Sequence, residues 1–273
     1  MSDAALPATV AQPVPTEQRS KFGWAVSDTL AITGRNLRAM QRVPQVIVFS
    51  TIQPILFVLM FTYVFGGAIN VPGVNYVDYL MPGVFAQTVA FGSINTGVAL
   101  AEDMGKGLIE RFRSLPMARS AVLGGRTLAD LVRDFGVILL MIVVGFMVGF
   151  RVHTGIAAFA LAILLLLLFA FSLAWIFAFI GLTAPSAEAA QAASFPPMAL
   201  LTFASSAFVP IESQPGWLQA FSAHQPLTAV VNAVRALTLG GPTLDPVLKS
   251  IAWSVAIIAV FAPIAVAKYR KAA

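Results

Sequence analysis

Long hydrophobic runs alternate with short polar segments through most of this chain. Six of these runs carry little or no charge, and they lie at about residues 46–65, 79–101, 128–150, 156–182, 191–209 and 246–267. A helix needs about 20 apolar residues to cross ~30 Å of hydrocarbon. The pattern therefore predicts an all-α integral membrane protein with six transmembrane helices, here called spans 1–6. We expect Pro196-Pro197 to break span 5 in its middle.

The chain before span 1 divides into two parts. Residues 1–21 have no apolar periodicity, so we expect a disordered cytoplasmic tail ahead of a single membrane domain over residues 22–273. From Phe22 to Val43, apolar residues and arginines recur at three- and four-residue steps, which predicts an amphipathic helix. We expect this helix to lie in the membrane interface, and the alternative is a solvated basic helix that only marks the cytoplasmic side.

The densest cluster of charge lies between spans 2 and 3, at residues 101–120. Its apolar side chains recur at three- and four-residue spacing and so share one face of a helix, and they are Leu108, Ile109, Phe112 and Leu115. The charged side chains among them are Glu110, Arg111 and Arg113. Such a helix either fixes the topology or contacts a soluble partner. The ordered apolar face favours contact with a partner, because fixing the topology requires no such face.

The segment at residues 212–245 is too polar for a full span. It is uncharged from Ser213 to Val234, yet Pro215 and Pro226 interrupt it. We expect two short re-entrant helices that dip into the outer leaflet, or lie on it, and return.

Lysine and arginine favour the cytoplasmic side of a membrane. Five basic residues precede span 1, five lie between Lys106 and Arg126, and three follow span 6. Six spans with both termini in the cytoplasm fit this alternation. The loop at residues 183–190 is the weak point, because it contains no basic residue although it should be cytoplasmic.

The composition supports a membrane protein and excludes several kinds of chemistry. The chain is 58% hydrophobic and 11% charged, whereas a soluble domain has about 25% charged residues. It has no cysteine, which excludes disulfides and thiol catalysis. The two histidines, His153 and His224, lie in separate outer segments, so we expect no metal site and no cofactor in this chain.

The chain also lacks the P-loop sequence that cradles nucleotide phosphates. The nearest approach is Gly124-Gly125-Arg126-Thr127, which has no lysine, and we interpret it as a turn before span 3. We therefore expect no ATP site, and no enzymatic activity, in the chain itself.

Polar side chains in spans 1 and 2 mark a candidate translocation path, namely Gln53, Gln87, Thr88 and Asn95. They either line such a path or form hydrogen bonds between helices. Asp130 and Arg133 can pair at the start of span 3, where we expect the charges to lie at the membrane interface. The spans otherwise lack embedded carboxylates, which argues against an ion-coupled carrier.

Two motifs carry a resemblance to a known family. The stretch Gly107-Leu-Ile-Glu-Arg-Phe-Arg-Ser-Leu-Pro-Met-Ala-Arg-Ser120 resembles the loop between spans 2 and 3 of ABC-2 type transporter permeases. Pro215-Gly-Trp-Leu218 and His224-Gln-Pro-Leu-Thr228 resemble the segment after span 5 in the daunorubicin/doxorubicin-resistance branch.

The resemblance implies a permease subunit in the plasma (inner) membrane of a bacterium. It implies two separate ATPase subunits that bind ATP and Mg²⁺, and a second permease copy or paralogue. The segment Gly107–Leu115 would be the coupling helix that contacts the ATPase. The expected function is export of amphipathic drugs or lipid-like compounds, and the alternatives are export of a lipid-linked glycan or ion-coupled transport without an ATPase.

Overall fold

The computed structural model describes residues 21–41, 44–67, 69, 71, 73–107 and 119–272. Within these residues every regular element is helical and no strand occurs. The α-helices are α1 (Lys21–Gln41), α2 (Pro44–Leu59), α3 (Tyr76–Gly105), α4 (Arg119–Val148), α5 (Ile156–Thr183), α6 (Ala187–Phe203), α7 (Gly216–His224), α8 (Pro226–Leu239) and α9 (Leu244–Ala272). A π-helical turn, Met60–Val64, extends α2, and a 3₁₀ turn, Ile211–Ser213, precedes α7.

Four of the described helices are long and apolar enough to cross a membrane. They are α3, Leu123–Val148 of α4, α5 and Leu244–Arg270 of α9, and they coincide with spans 2, 3, 4 and 6. Span 1 corresponds to α2 with its π turn. The apolar helix Thr51–Val64 in this region is shorter than the four long helices. Span 5 corresponds to α6, which has 17 residues and ends at Phe203. The protein is thus a multi-pass helical membrane protein, and the count of six spans stays a prediction.

The prediction that Pro196-Pro197 breaks span 5 is wrong. Both prolines lie inside α6, which continues to Phe203. Neighbouring helices in a membrane protein can satisfy the carbonyl groups that a proline frees, so proline is tolerated there. The irregular chain comes instead after α6, before the turn at Ile211–Ser213.

Helix α3 is the centre of the core. Its residues from Tyr76 to Ala90 are buried without exception, and it packs against α4, α5, α6 and α8. Gly97 on α3 and Gly181 on α5 lie so close that a Cβ on either would collide with the other helix's backbone. Small residues of this kind let membrane helices approach closely, and the polar character of span 2 fits a helix surrounded by protein.

Helix α1 packs along α4, with Ile32, Thr33 and Asn36 buried, while Arg35 and Arg38 are exposed. The predicted amphipathic helix is therefore present, and its position in the membrane interface stays a prediction.

Two short helices, α7 and α8, occupy the segment at residues 212–245 as expected. Of these, α8 is largely buried against α3, α5 and α9, whereas re-entry into the outer leaflet stays a prediction.

Helix α4 begins nine residues before the predicted start of span 3, and the interpretation of Gly124-Gly125 as a turn is wrong. Both glycines are helical and lie against α1. Thr33 Oγ1 donates a hydrogen bond to the Gly125 carbonyl at 3.2 Å. Glycine at position 125 allows the close approach of α1 and α4, because a Cβ there would lie 2.6 Å from the Ile32 Cβ atom.

A polar cavity between four helices

A cavity of about 490 Å³ lies between α2, α3, α4 and α6. Its polar wall residues are Gln53, Gln87, Thr88, Asn95, Arg133, Asp134 and Gln191. Its apolar wall residues are Pro54, Phe91, Ile94, Val98, Val137 and Phe195. The structure thus brings together all four residues of the candidate translocation path, which lie up to 42 positions apart in the chain.

Helical spacing places these side chains on the cavity wall. On α3, Gln87, Phe91 and Asn95 follow one another at four-residue steps and so share one face. Gln191 and Phe195 do the same on α6. The cavity volume lies within the ~300–1,000 Å³ typical of small-molecule sites. Its wall combines polar and apolar side chains in similar numbers.

A buried ionic cluster lies beside the cavity. Arg133 Nη1 donates to Asp130 Oδ1 at 3.1 Å, as the sequence spacing predicted, and its Nη2 donates to Asp134 Oδ1 at 2.9 Å. The same Nη2 donates to the carbonyl oxygen of Gly92 on α3 at 2.8 Å. Thr96 Oγ1 donates to Asp130 Oδ2 at 2.7 Å, and Arg126 Nε lies 3.5 Å from that oxygen. These contacts join α4 to α3.

These charges are buried within the protein, whereas their depth in the membrane stays a prediction. Asp130 is 2% exposed and Asp134 is 5% exposed. Because α4 begins at Arg119, Asp134 is the sixteenth of its 30 residues and lies halfway along the helix. The sequence predicted the pairing of Asp130 with Arg133 but not the burial of the cluster.

Gln87 is 3% exposed, and its Oε1 atom has no hydrogen-bond partner among the described residues. Thr88 Oγ1 donates to the Val84 carbonyl of its own helix at 2.7 Å. A buried polar atom without a partner costs roughly 1–3 kcal/mol.

Comparison with known proteins places the chain in a family. The family described as ABC-2 type transporter matches residues 27–239. The chain belongs to the ABC-2 type transporter family. It is 35% identical over 253 residues to the daunorubicin resistance ABC transporter permease protein DrrB1 of Streptomyces coeruleorubidus, covering 93% of this chain and 89% of that protein.

Two further relatives cover most of the chain. The probable doxorubicin resistance ABC transporter permease protein DrrC of Mycobacterium tuberculosis is 28% identical over 249 residues, which is 90% of each protein. The putative transport permease ycf38 of Cyanophora paradoxa is 24% identical over 220 residues, with 78% of this chain and 74% of that protein covered. The resemblance expected from the two sequence motifs is confirmed.

The predicted coupling residues, from Leu108 to Leu115, lie outside the described residues. The structure describes their flanks, where α3 ends at Gly105 and α4 begins at Arg119. At the first flank, Lys106 Nζ lies 3.1 Å from Glu102 Oε2 in an exposed pair. The segment therefore connects the two helices that the ionic cluster also joins.

The sequence also missed the burial of a third carboxylate, Asp78, near the start of α3. Asp78 Oδ1 accepts a hydrogen bond from the Arg151 backbone N–H at 2.8 Å, and its Oδ2 lies 3.0 Å from His153 Nε2. The other histidine, His224, contacts its own helix: its Nδ1 atom lies 2.9 Å from the Ala220 carbonyl oxygen. Among the described residues, no group of three or more His, Asp or Glu side chains could hold a metal ion.

The loop before α6 ends in a helix cap. Ser186 Oγ accepts a hydrogen bond from the Ala189 backbone N–H at 3.2 Å. Hydrogen bonds from the backbone N–H of Glu188 and from the Ser186 hydroxyl hold the pKa of the Glu188 carboxyl below its usual value. An acidic residue in the first turn of a helix is stabilised in this way.

Proposed function

We propose that this chain is the permease subunit of an ATP-driven exporter that moves amphipathic drugs or lipid-like compounds out of a bacterial cell. The observation that carries the proposal is the 35% identity, over 93% of the chain, to a protein named as a daunorubicin resistance permease. A cavity whose wall combines apolar side chains with several amide side chains suits an amphipathic substrate.

The energy source would be a pair of separate ATPase subunits that bind ATP and Mg²⁺. This chain has no P-loop, so it needs such a partner. The coupling helix would lie in the Gly107–Leu115 stretch. Its apolar side chains Leu108, Ile109, Phe112 and Leu115 would enter a groove of the ATPase, and Glu110, Arg111 and Arg113 would make the contacts at the rim.

The exporter would hold two permease chains, either identical or paralogous, in the plasma (inner) membrane. Each would cross it six times, with both termini, the residue 1–21 tail and the coupling helix in the cytoplasm. The segment at residues 212–245 would lie on the outer side as re-entrant helices, consistent with the two short helices α7 and α8.

Gln53, Gln87, Thr88 and Asn95 would line the translocation path, since all four face the same cavity. Closure of the ATPases would move the coupling helix, and this motion would reach the cavity through α3 and α4, whose ends the segment connects. A change in the distance between these helices would open or close the cavity to the substrate.

The test is ATP-dependent efflux in proteoliposomes that contain the permease and the ATPase encoded beside it. We expect accumulation of daunorubicin to require both proteins, and to stop when the P-loop lysine of the ATPase is replaced. An ion-coupled carrier could use the buried Asp130 and Asp134. Transport that continues with the inactive ATPase, and stops with a protonophore, would therefore overturn the proposal.

A further inference from the structure

The chain that follows α6 is buried although it is not helical. Residues 204–210, here called the link, form no regular element, and those from 204 to 208 are each 5% exposed or less. Gly83 on α3 makes room for the link, since a Cβ there would lie 2.0 Å from the Ala207 carbonyl oxygen. A buried backbone needs hydrogen-bond partners for its N–H and C=O groups. Outside a helix, those partners must come from other parts of the protein.

Side chains of other elements supply partners for the link. The Ala204 carbonyl accepts a hydrogen bond from Ser222 Oγ at 2.9 Å. The Ser205 carbonyl accepts one from Gln214 Nε2 at 3.0 Å. A helix keeps its internal hydrogen bonds when it moves as a rigid body, whereas the link can leave its place only if bonds of this kind break. The conformation of the link is therefore set by the side chains around it.

Ser206, in the middle of the link, is held at all three of its polar groups. Its N–H donates to Thr228 Oγ1 at 3.2 Å, and its hydroxyl donates to Asn232 Oδ1 at 3.0 Å. Its carbonyl accepts hydrogen bonds from Arg235 Nη2 at 2.9 Å and from the Tyr79 hydroxyl at 3.3 Å. Thr228, Asn232 and Arg235 follow one another at steps of four and three residues and so share one face of α8. These three side chains and Tyr79 are here called the Ser206 clamp.

Arg235 joins the clamp to α3. Its Nε and Nη2 atoms donate to the Tyr79 carbonyl at 3.3 and 3.1 Å, and its Nη1 donates to Asn232 Oδ1 at 3.2 Å. Its guanidinium carbon lies 3.6 Å from the centroid of the Tyr79 ring, where a cation is attracted to the ring face. Hydrogen bonds from a charged donor are roughly twice as strong as neutral ones. Attachment of the link to α3 and α8 therefore depends mainly on Arg235.

Phe208 connects the link to α2 as well. Its ring stacks on that of Phe61, with centroids 4.5 Å apart and planes at 6°, and Phe61 belongs to the π-helical turn that extends α2. The Phe208 ring also lies 5.9 Å from that of Phe203, the last residue of α6. The clamp thus holds the ends of α2 and α6 beside α3, and all three helices contribute to the cavity wall.

We propose that the Ser206 clamp is a latch that closes the outer end of the cavity, with Arg235 as its positioning residue. When the latch holds, α2, α3 and α6 meet at the link and block the path from the cavity to the outer surface. When Arg235 and Asn232 release Ser206, the end of α6 separates from α3 and the cavity opens outward. This inference rests on the proposed function, because that function places the link on the outer side and requires an exit there.

The test measures how fast a cysteine in the cavity is labelled from outside the cell. The chain has no cysteine, so Thr88→Cys places a single reporter on the cavity wall, roughly 13 Å along α3 from Tyr79. Thr88 is 8% exposed, and its hydroxyl donates to the Val84 carbonyl of its own helix, so the change is small. Intact cells that produce the permease and the ATPase encoded beside it are treated with a membrane-impermeant maleimide. We expect slow labelling while the clamp is intact.

Two variants weaken the clamp to different degrees. Arg235→Met removes the charged donor, and Ser206→Ala removes the hydroxyl that donates to Asn232. Loss of a hydrogen bond to a charged group changes an equilibrium by about tenfold or more. Arg235→Met should therefore label Thr88→Cys about tenfold faster, and Ser206→Ala should label it several-fold faster. Thr238→Val is the matched control on α8 and should leave the rate unchanged, because its hydroxyl donates to carbonyls of its own helix.

Two further reporters separate opening of the latch from other effects. Ile156→Cys, at the start of α5, is at a position 90% exposed and reports access of the reagent. Ser172→Cys, on the same helix, is at a position 0% exposed that lies off the cavity wall, and it reports general loosening of the fold. Both should label at the same rate with and without the clamp substitutions. Ser206→Ala carries the test alone if Arg235→Met does not fold.

Each other result overturns a stated part of the argument. Unchanged labelling of Thr88→Cys in the folded clamp variants would overturn the latch, as would an equal increase in Thr238→Val or at Ser172→Cys. Any of these leaves the exporter proposal intact if proteoliposomes still move daunorubicin with ATP. A reporter at Ile156→Cys that reacts from the inside alone would overturn the proposed topology and the latch with it. A latch that behaves as expected, in a protein that moves no substrate with ATP, would overturn the exporter proposal alone.

Discussion

Ile32 on α1 lies directly against Gly125 on α4, where a Cβ at position 125 would stand 2.6 Å from the Ile32 Cβ atom. Real Cβ atoms do not approach so closely, so the two helices would have to separate. Contacts of this kind explain why the chain has glycine at this point of a helix, where alanine would otherwise be favoured.

Gly125→Ala should therefore destabilise the protein, by about 1–3 kcal/mol, the usual cost of overpacking. Gly124→Ala is the matched control on the same helix turn. A Cβ at position 124 would meet the Thr29 methyl group at an ordinary 3.6 Å, and alanine favours the helix by ~1 kcal/mol. Thermal unfolding in detergent should show a lower midpoint for Gly125→Ala alone. Equal midpoints for the two variants would mean that α1 does not pack here.

Thr96→Val should weaken the contact between α3 and α4. The Thr96 hydroxyl donates to the buried Asp130 carboxylate at 2.7 Å, and a hydrogen bond to a charged group is worth about 1.5–3 kcal/mol. Thr127→Val is the control, because the Thr127 hydroxyl contacts only carbonyls of its own helix. Chemical unfolding should show a larger decrease in the free energy of unfolding for Thr96→Val than for Thr127→Val. The reverse order would contradict the arrangement of the cluster.

Phe112→Ala should reduce assembly with the ATPase, or uncouple ATP hydrolysis from transport. Burying a phenylalanine side chain is worth roughly 1.5–3 kcal/mol, so its loss should weaken the interface ~10-fold or more. Arg111→Ala should do less, since exposed ion pairs contribute ~0–1 kcal/mol. The measurement is co-purification of the ATPase with substrate-stimulated hydrolysis. Wild-type values of both for Phe112→Ala would place the coupling contact elsewhere.

The loop at residues 184–186, between α5 and α6, should lie in the cytoplasm. A reporter that is active only in the cytoplasm should therefore be active when it is inserted beside Glu188, in the first turn of α6. Cysteines introduced at Gln214 and Pro242 should react with a membrane-impermeant reagent added outside the cell. An extracellular signal at Glu188, or labelling of Gln214 from the inside alone, would contradict six spans with both termini inside.

The sequence predicted those elements whose limits are marked by polar residues. Span 4 was placed at 156–182, and α5 runs from Ile156 to Thr183, because short polar loops flank an unbroken apolar run. The start of α4 was missed, since Gly124-Gly125 favours a turn unless another helix lies against it. Local propensity contains no information about such a neighbour.

The cavity was predicted in part for a similar reason. Unusual polar residues in apolar runs, such as Gln87 and Asn95, were visible in the sequence. Asp134 was not recognised as a wall residue, because its depth depends on where α4 begins. The Gly92 carbonyl accepts a hydrogen bond from Arg133, and Asp134 lies close to the same glycine. Because Gly92 has no polar side chain, these contacts could be found only in the folded protein.

The glycine contact between α3 and α5 has a mechanical consequence. Gly97 and Gly181 touch backbone to backbone, with no side chain between them to change rotamer. We expect these two helices to shift together, whereas α3 and α4 meet through the Thr96, Asp130 and Arg133 side chains, which can exchange partners. In the proposed exporter, a push on the segment between α3 and α4 would therefore slide α3 and α5 together past α4, along the cavity wall that α3 and α4 share.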